Sequence, residues 1–200
     1  MRKMLSVAAI AFAVAAAAPS CTLPRGGDWA PTMETWTAGD SIMVGNAQPP
    51  SWVDALGIPL FNTAVGSRGF TTTTPGTIEE ALDYWISYYG APQRVLISAG
   101  ANDQLTGATA ANTIAAMSHL ETWLTSLGTE VIWITATRLT TPSPLLTSTN
   151  NWIRTRPHFI DCGPVTGEPL LDPAYAWDSV HLNDAGDAKL SACVKASPLI

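Results

Sequence analysis

The chain has 200 residues, 46% of them hydrophobic and 13% charged, which excludes a disordered protein and fits about one globular domain. Its net charge of −6 and pI of about 4.8, with no Lys/Arg cluster after the basic start, leave no electrostatic footprint for nucleic acid.

Residues 1–20 are of different material. A basic MRK precedes the apolar run MLSVAAIAFAVAAAA, the layout of an export signal and too short and alanine-rich for a membrane span. The expected division is therefore a signal peptide over 1–20, a polar tail over 21–32 and one domain over 33–200, in a secreted or cell-surface protein. Cys21 stands at the signal's end, where bacterial lipoproteins carry their lipidated cysteine, although the preceding Ala-Pro-Ser lacks the usual leucine. Membrane contact is expected only through the signal or such an anchor. In an oxidising compartment Cys162 and Cys193 are placed to pair and tie the last helix to the last strand. No cysteine has a metal-ligand spacing, and no metal is expected.

A first short strand over 34–38 leads into Gly39-Asp40-Ser41. A helical stretch follows, broken by Pro49-Pro50 and resuming through SWVDALG, and a second strand is expected over 58–65, ending at Gly66-Ser-Arg68. The run Thr71 to Thr74 reads as an exposed rim loop. Thr77-Ile-Glu-Glu80 is a capping box that opens a helix with Ile78, Leu82, Trp85, Ile86 and Tyr89 on one face. The apolar run RVLISA, 94–99, is a strand of the kind buried on both faces, and it ends at Gly100-Ala-Asn102-Asp103.

A long helix is predicted over 108–127, stopped by Gly128, and then a buried strand over 130–137. The Thr/Ser/Pro-rich segment 140–149 reads as a loop with a short helical turn at most. A fifth strand over 158–162 and a helix over 184–195 complete the chain. Strands alternating with helices imply a parallel sheet covered on both faces, whose ligands bind beyond the carboxyl ends of the strands. Every chemically notable cluster, including Asp178 and His181, falls on that rim.

A serine becomes a nucleophile when a histidine takes its proton, and the histidine needs a carboxylate to fix its tautomer. Asp178 and His181, three residues apart, can share one side of a turn, so that Asp178 reaches one ring nitrogen while the other faces Ser41. The N–H groups of Ser41 and Gly66 and the Asn102 amide are candidate oxyanion donors. Asp40 and Asp103 read as local turn-formers, and His119 and His158 as structural. Trp177 is a candidate wall of an acyl pocket. Arg68 is a candidate contact for an anionic substrate group.

Taken in order, Gly39-Asp40-Ser41, Gly66, Asn102 and Asp178-Ser-Val-His181 resemble the four blocks of the SGNH hydrolases, or GDSL-type esterases. The resemblance spans about residues 33–196. It implies an α/β domain of the flavodoxin-like type, a three-layer α/β/α sandwich on a five-stranded parallel sheet. It further implies hydrolysis of esters or thioesters through an acyl-serine without metal or organic cofactor. Carried over, Ser41 is nucleophile, His181 base and Asp178 orienting acid, with Ser41, Gly66 and Asn102 forming the oxyanion hole. Two departures stand out: the broken segment at Pro49-Pro50, and a region between strands four and five that leaves little room for the usual helix. The expected protein is a monomer acting on a small-molecule or carbohydrate ester. The alternatives are an acyltransferase on the same fold and a non-catalytic surface protein that binds glycan or a partner.

Overall fold

A computed structural model describes residues 34–45 and 51–200. The signal segment, Cys21 and the Pro49-Pro50 break lie outside the described residues. Five strands form one sheet, β1 (Thr35–Gly39), β2 (Phe61–Asn62), β3 (Arg94–Ser98), β4 (Glu130–Ile134) and β5 (Phe159–Ile160), all parallel, in the order β2-β1-β3-β4-β5. That order is the flavodoxin-like doubly wound sheet expected from the sequence.

The helices are α1 (Ser41–Val44), α2 (Ile78–Tyr89), α3 (Ala101–Leu105), α4 (Ala110–Ser126), α5 (Pro144–Ile153), α6 (Gly163–Thr166) and α7 (Asp184–Lys195). Strand alternation divides the interior. Trp36, Ala38, Val95, Ile97, Val131 and Trp133 pack one face of the sheet against Ile78 and Leu82 of α2 and Met117, Leu120 and Leu124 of α4. Leu96, Ile132 and Ile134 point the other way, toward Ile42 and Met43 of α1 and Leu190 and Val194 of α7. Three layers follow from a period of two in the strands and about 3.6 in the helices.

Local signals set several boundaries. Thr77 and Glu80 form the capping box of α2, with Thr77 N–H donating to Glu80 at 2.7 Å and Glu80 N–H to Thr77 at 3.1 Å. The last helix runs over the expected residues, and Cys162 and Cys193 form a disulfide, with Cα atoms 5.9 Å apart, that joins the segment after β5 to α7. The predicted edge strands are shorter in the structure. β2 pairs only with β1, and beyond Asn62 the chain follows β1 irregularly, with Thr63 N–H donating to Thr37 O and Val65 N–H to Gly39 O.

The expectation for 140–149 is wrong. The segment opens a ten-residue helix, α5, whose N-cap Ser143 accepts from Leu146 N–H while Pro144 fits the first turn, where no N–H is needed. Tertiary contact then holds it. Leu145 and Leu146 enter one core, Ile153 the other, and the buried Asn150 amide pairs twice with one residue beyond β4. Asn150 Oδ1 accepts from Ala136 N–H at 2.8 Å, and Nδ2 donates to Ala136 O at 2.9 Å. The side chain takes the place of a strand neighbour beyond the end of the sheet, where pairing stops at Ile134 rather than at the predicted 137.

Asn150→Ala leaves two buried backbone groups without partners, each worth roughly 1–3 kcal/mol. The variant is expected to lose about 2–5 kcal/mol of stability in urea unfolding.

Candidate active site

The doubly wound order reverses between β1 and β3, since the chain leaves β1 toward β2 and returns on the other side at β3. The crevice at that switch point is where such sheets bind ligands. Two glycines build it. A Cβ on Gly39 would lie 2.3 Å from Ser98 O on the neighbouring strand and 2.4 Å from Met43 Sδ, so only glycine lets β1 turn directly into α1 there. Gly100, with φ of 130°, turns β3 into α3 in a conformation other residues rarely adopt.

Ser41 is therefore the first residue of α1, buried, with Oγ 2.9 Å from His181 Nε2. His181 Nδ1 lies 2.8 Å from Asp178 Oδ2, and Asp178 Oδ1 accepts the N–H groups of Val180 and His181, each at 2.7 Å. With a neutral imidazole, Nδ1–H donates to Asp178 and Nε2 accepts from the Ser41 hydroxyl.

The turn carrying Asp178 and His181 is closed on three sides. Trp177 N–H donates to His181 O at 2.8 Å, and Thr140 N–H, on the segment leading from β4, donates to Ser179 O at 3.1 Å. Asn183, two residues after the histidine, accepts from Gly186 N–H as the N-cap of α7 and donates to Ala174 O at 3.0 Å. Asn183 was not singled out from the sequence, although an Asn followed by acidic residues such as Asp184 and Asp187 is a cap signal.

Gly66 and Asn102 border the same crevice. Val65 N–H donates to Gly39 O at 3.3 Å, which sets Gly66 beside the end of β1. Asn102 Nδ2 donates to Arg68 O at 2.9 Å, using one of its two amide hydrogens and leaving the other. Among the described residues, no hydrogen bond takes up the N–H of Ser41 or of Gly66.

Asp103 is more than a local turn-former. It is buried, and it accepts from Phe70 N–H at 3.0 Å and from the N–H and hydroxyl of Thr71 at 2.7 Å each, so it holds the loop after Gly66 from 32 residues away. The threonine run is correspondingly not all exposed, because Thr72 is buried. Arg68 is half-buried, and burial draws its guanidinium pKa down although Glu80 pushes it up. Trp177 is 56% exposed beside Asp178, so its ring is not a core aromatic. His119 pairs with Glu79 and His158 with Glu130, both outside this cluster. Among the described residues no cluster of three His, Cys, Asp or Glu side chains is placed to hold a metal ion.

Comparison with solved structures gives the architecture its place. A lipolytic protein of the G-D-S-L family from Veillonella parvula superposes with a TM-score of 0.68 at 17% identity, over 81% of this chain and 96% of that one. A psychrotrophic esterase from Pseudoalteromonas, in a structure inhibited by monoethylphosphonate, gives 0.62 at 19% identity, over 80% and 92%. An acetylxylan esterase from Geobacillus stearothermophilus, as a catalytic mutant, gives 0.58 at 17% identity, over 80% and 91%. The chain has the SGNH-hydrolase fold. No protein-family model and no curated protein matches its sequence.

Within this crevice two carboxylates are tuned in opposite directions. Partial burial pushes Asp178 up, but the donors from the His181 ring, His181 N–H and Val180 N–H outweigh it and hold the carboxyl below its usual range. Asp40 caps α1 by accepting Ile42 N–H at 3.0 Å, as expected of a turn brace, yet it is wholly buried and Oδ2 has no partner among the described residues. Burial, with a contribution from Asp103, raises its pKa from 3.8 to about 7, against the Ile42 and Gly100 N–H groups and His181.

A carboxyl raised in the folded state stabilises fully below its unfolded pKa and loses that contribution as pH rises through the folded value. Asp40 thus costs stability progressively between about pH 4 and pH 7. Asp187, raised to about 6 by burial and Asp184, acts in the same sense but is common to both proteins compared. Asp40→Asn keeps a capping oxygen and has no charge to desolvate. Relative to wild type it is expected to gain on the order of 3 kcal/mol between pH 4 and pH 8, read by urea unfolding at both.

Proposed function

We propose that the protein is an exported serine esterase that cleaves carboxylic esters, short-acyl esters above all, through an acyl-serine intermediate. The observation that carries the reading is the Ser41–His181–Asp178 series, 2.9 Å and 2.8 Å between successive partners, at the switch point of the sheet. The shared fold with esterases and lipolytic proteins supports it.

In the proposed reaction Ser41 Oγ attacks the ester carbonyl carbon while its proton passes to His181 Nε2. Asp178 holds the imidazolium by its charge and fixes the ring by its hydrogen bond. The carbonyl oxygen becomes an oxyanion, served by Ser41 N–H, Gly66 N–H and the second hydrogen of Asn102 Nδ2. Such donors act strongly because they are oriented before charge develops. The tetrahedral adduct collapses, His181 returns the proton to the departing alcohol, and the acyl group stays on Ser41. Water, deprotonated by the same nitrogen, then releases the acid.

A short acyl group is favoured because the sequence carries no long apolar lid segment to cover a fatty chain. An acetylated carbohydrate is a suitable substrate, and one protein of the same fold is an acetylxylan esterase. Trp177 and Arg68 are the proposed substrate contacts, on the acyl side and at an anionic group respectively. Export is supported by the layout of residues 1–20 and by the Cys162–Cys193 disulfide, since such bonds persist in oxidising compartments. A mass measurement on the exported protein distinguishes lipidation at Cys21 from plain cleavage.

Wild type is expected to label with a fluorophosphonate probe and to turn over p-nitrophenyl acetate. Ser41→Ala should abolish labelling and reduce kcat by roughly four to six powers of ten. No labelling and no Ser41-dependent turnover would leave a non-catalytic surface protein as the surviving reading. Asn102→Ala, with Ser41 and His181 intact, should still label while kcat falls by roughly 10²–10³.

A further inference from the structure

Away from the crevice, the sequence Asp83-Tyr-Trp-Ile-Ser-Tyr-Tyr89 places four aromatic rings on α2 as two ladders at four-residue spacing, Tyr84 with Tyr88 and Trp85 with Tyr89. Tyr84 is 41% exposed, Tyr88 67% and Tyr89 42%. The rings form a continuous surface. Tyr84 and Tyr88 have centroids 5.1 Å apart with planes inclined by 47°, Tyr84 and Trp85 5.0 Å at 80°, and Tyr88 and Tyr89 6.3 Å at 49°, while Trp85 and Tyr89 stack 5.8 Å apart at 12°. The surface is rooted in the core. Phe61 on edge strand β2 packs edge-on to Trp85 and Tyr89, and on its other side to the buried Trp36. These rings are therefore held in place before any partner arrives, which lowers the ordering cost of binding.

We propose that this face of α2 is a binding platform for a neutral polysaccharide chain. Pyranose rings with equatorial hydroxyls present apolar C–H faces that lie against aromatic rings, and the tyrosine hydroxyls are within reach of the sugar's own. Charge selects among partners that favour aromatic surfaces. The helix carries Glu79, Glu80 and Asp83 and no lysine or arginine, on a chain of net charge −6. Nucleic acid, anionic lipid and uronic-acid polymers would meet repulsion there, whereas an uncharged glycan does not. The last turn of α2 leads to the start of β3, at the end of the sheet opposite the Ser41 rim, so a polymer held here leaves the crevice open. This binding does not depend on Ser41 chemistry.

Adsorption isotherms on insoluble cellulose, xylan and chitin test it, with wild type, Ser41→Ala, Tyr88→Ala and Tyr88→Trp. Wild type and Ser41→Ala should adsorb equally to at least one polymer. Tyr88→Ala should bind it roughly tenfold more weakly, the scale of one lost aromatic contact, and Tyr88→Trp should retain binding. The urea unfolding midpoint of Tyr88→Ala should match wild type, which certifies its fold independently of any esterase activity. Failure of wild type to adsorb to all three, adsorption indifferent to Tyr88→Ala, or stronger binding to anionic phosphatidylglycerol vesicles than to the polymers would each overturn the proposal.

Discussion

The parallel pairing of β1 with β3 is the constraint on which the rest depends. Five residues are in register, from Thr35 against Arg94 to Gly39 against Ser98. Because the strands are parallel, both chains leave the sheet at the same end, and each does so through a glycine into a helix. The register thereby carries Asp40-Ser41 out alongside Ala99-Gly100, with Ala101-Asn102 following directly, before any side chain contributes. The close approach at Gly39 removes the room a side chain would need, so the turn cannot relax outward without breaking the pairing. A one-residue slip would exchange the faces to which Trp36, Ala38, Val95 and Ile97 point, and the two cores oppose that strongly.

The other half of the crevice has no strand to define it, and it is built differently. Between β5 and α7 lie about two dozen residues with only short helical turns. Their order comes from cross-links. The disulfide ties the start of the segment to the far end of α7, Glu168 bridges Arg138 and Arg154, Leu171 N–H donates to Leu139 O, and Thr140 N–H donates to Ser179 O. Arg138 is itself buried, so its pairing with Glu168 satisfies a charge that would otherwise be costly to desolvate. The stretch from Thr135 to Thr140, beyond the paired part of β4, thus serves as a spine for the Asp178–His181 turn. Asn150 in turn secures that spine at Ala136. Remote α5 and the residues facing Ser41 are thus linked through the Asn150 amide and the backbone of this stretch.

This difference explains what could be read from the amino-acid sequence. The rim placement of Ser41, Gly66 and Asn102 was legible because each stands at or just after a glycine that ends a predicted strand, and His181 drew notice because Asp178 stands three residues before it. The caps at Thr77 and the limits of α7 were legible for the same reason, since their signals lie within four residues. What failed was whatever rests on distant partners. α5 is rich in Thr, Ser and Asn, residues of weak helix propensity, and it persists through Asn150, Leu146 and Ile153, which no local window reveals. Asp103 looked like a turn residue because its three donors lie more than thirty residues earlier. Strands β2 and β5 were overcalled because an edge strand pairs on one side only, and apolar composition alone does not say where pairing ends.

Asp40 and Asp178 show why residue type alone does not assign chemistry at such a rim. Both lie near Ser41 and His181, and each caps a turn through its carboxylate. Asp178 is part-exposed and accepts three N–H donors, which hold its carboxyl below the usual range despite partial burial. Asp40 is buried with one donor on Oδ1 and none on Oδ2 among the described residues, and its proton is retained up to about pH 7. The contrast suits the proposed reaction. A charge on Asp40, adjacent in sequence to the nucleophile, would oppose the oxyanion that forms at Ser41. A charge on Asp178, beyond the imidazole, stabilises the imidazolium without facing that oxyanion. Solvation and donor count, rather than the identity of the acid, therefore divide the two roles.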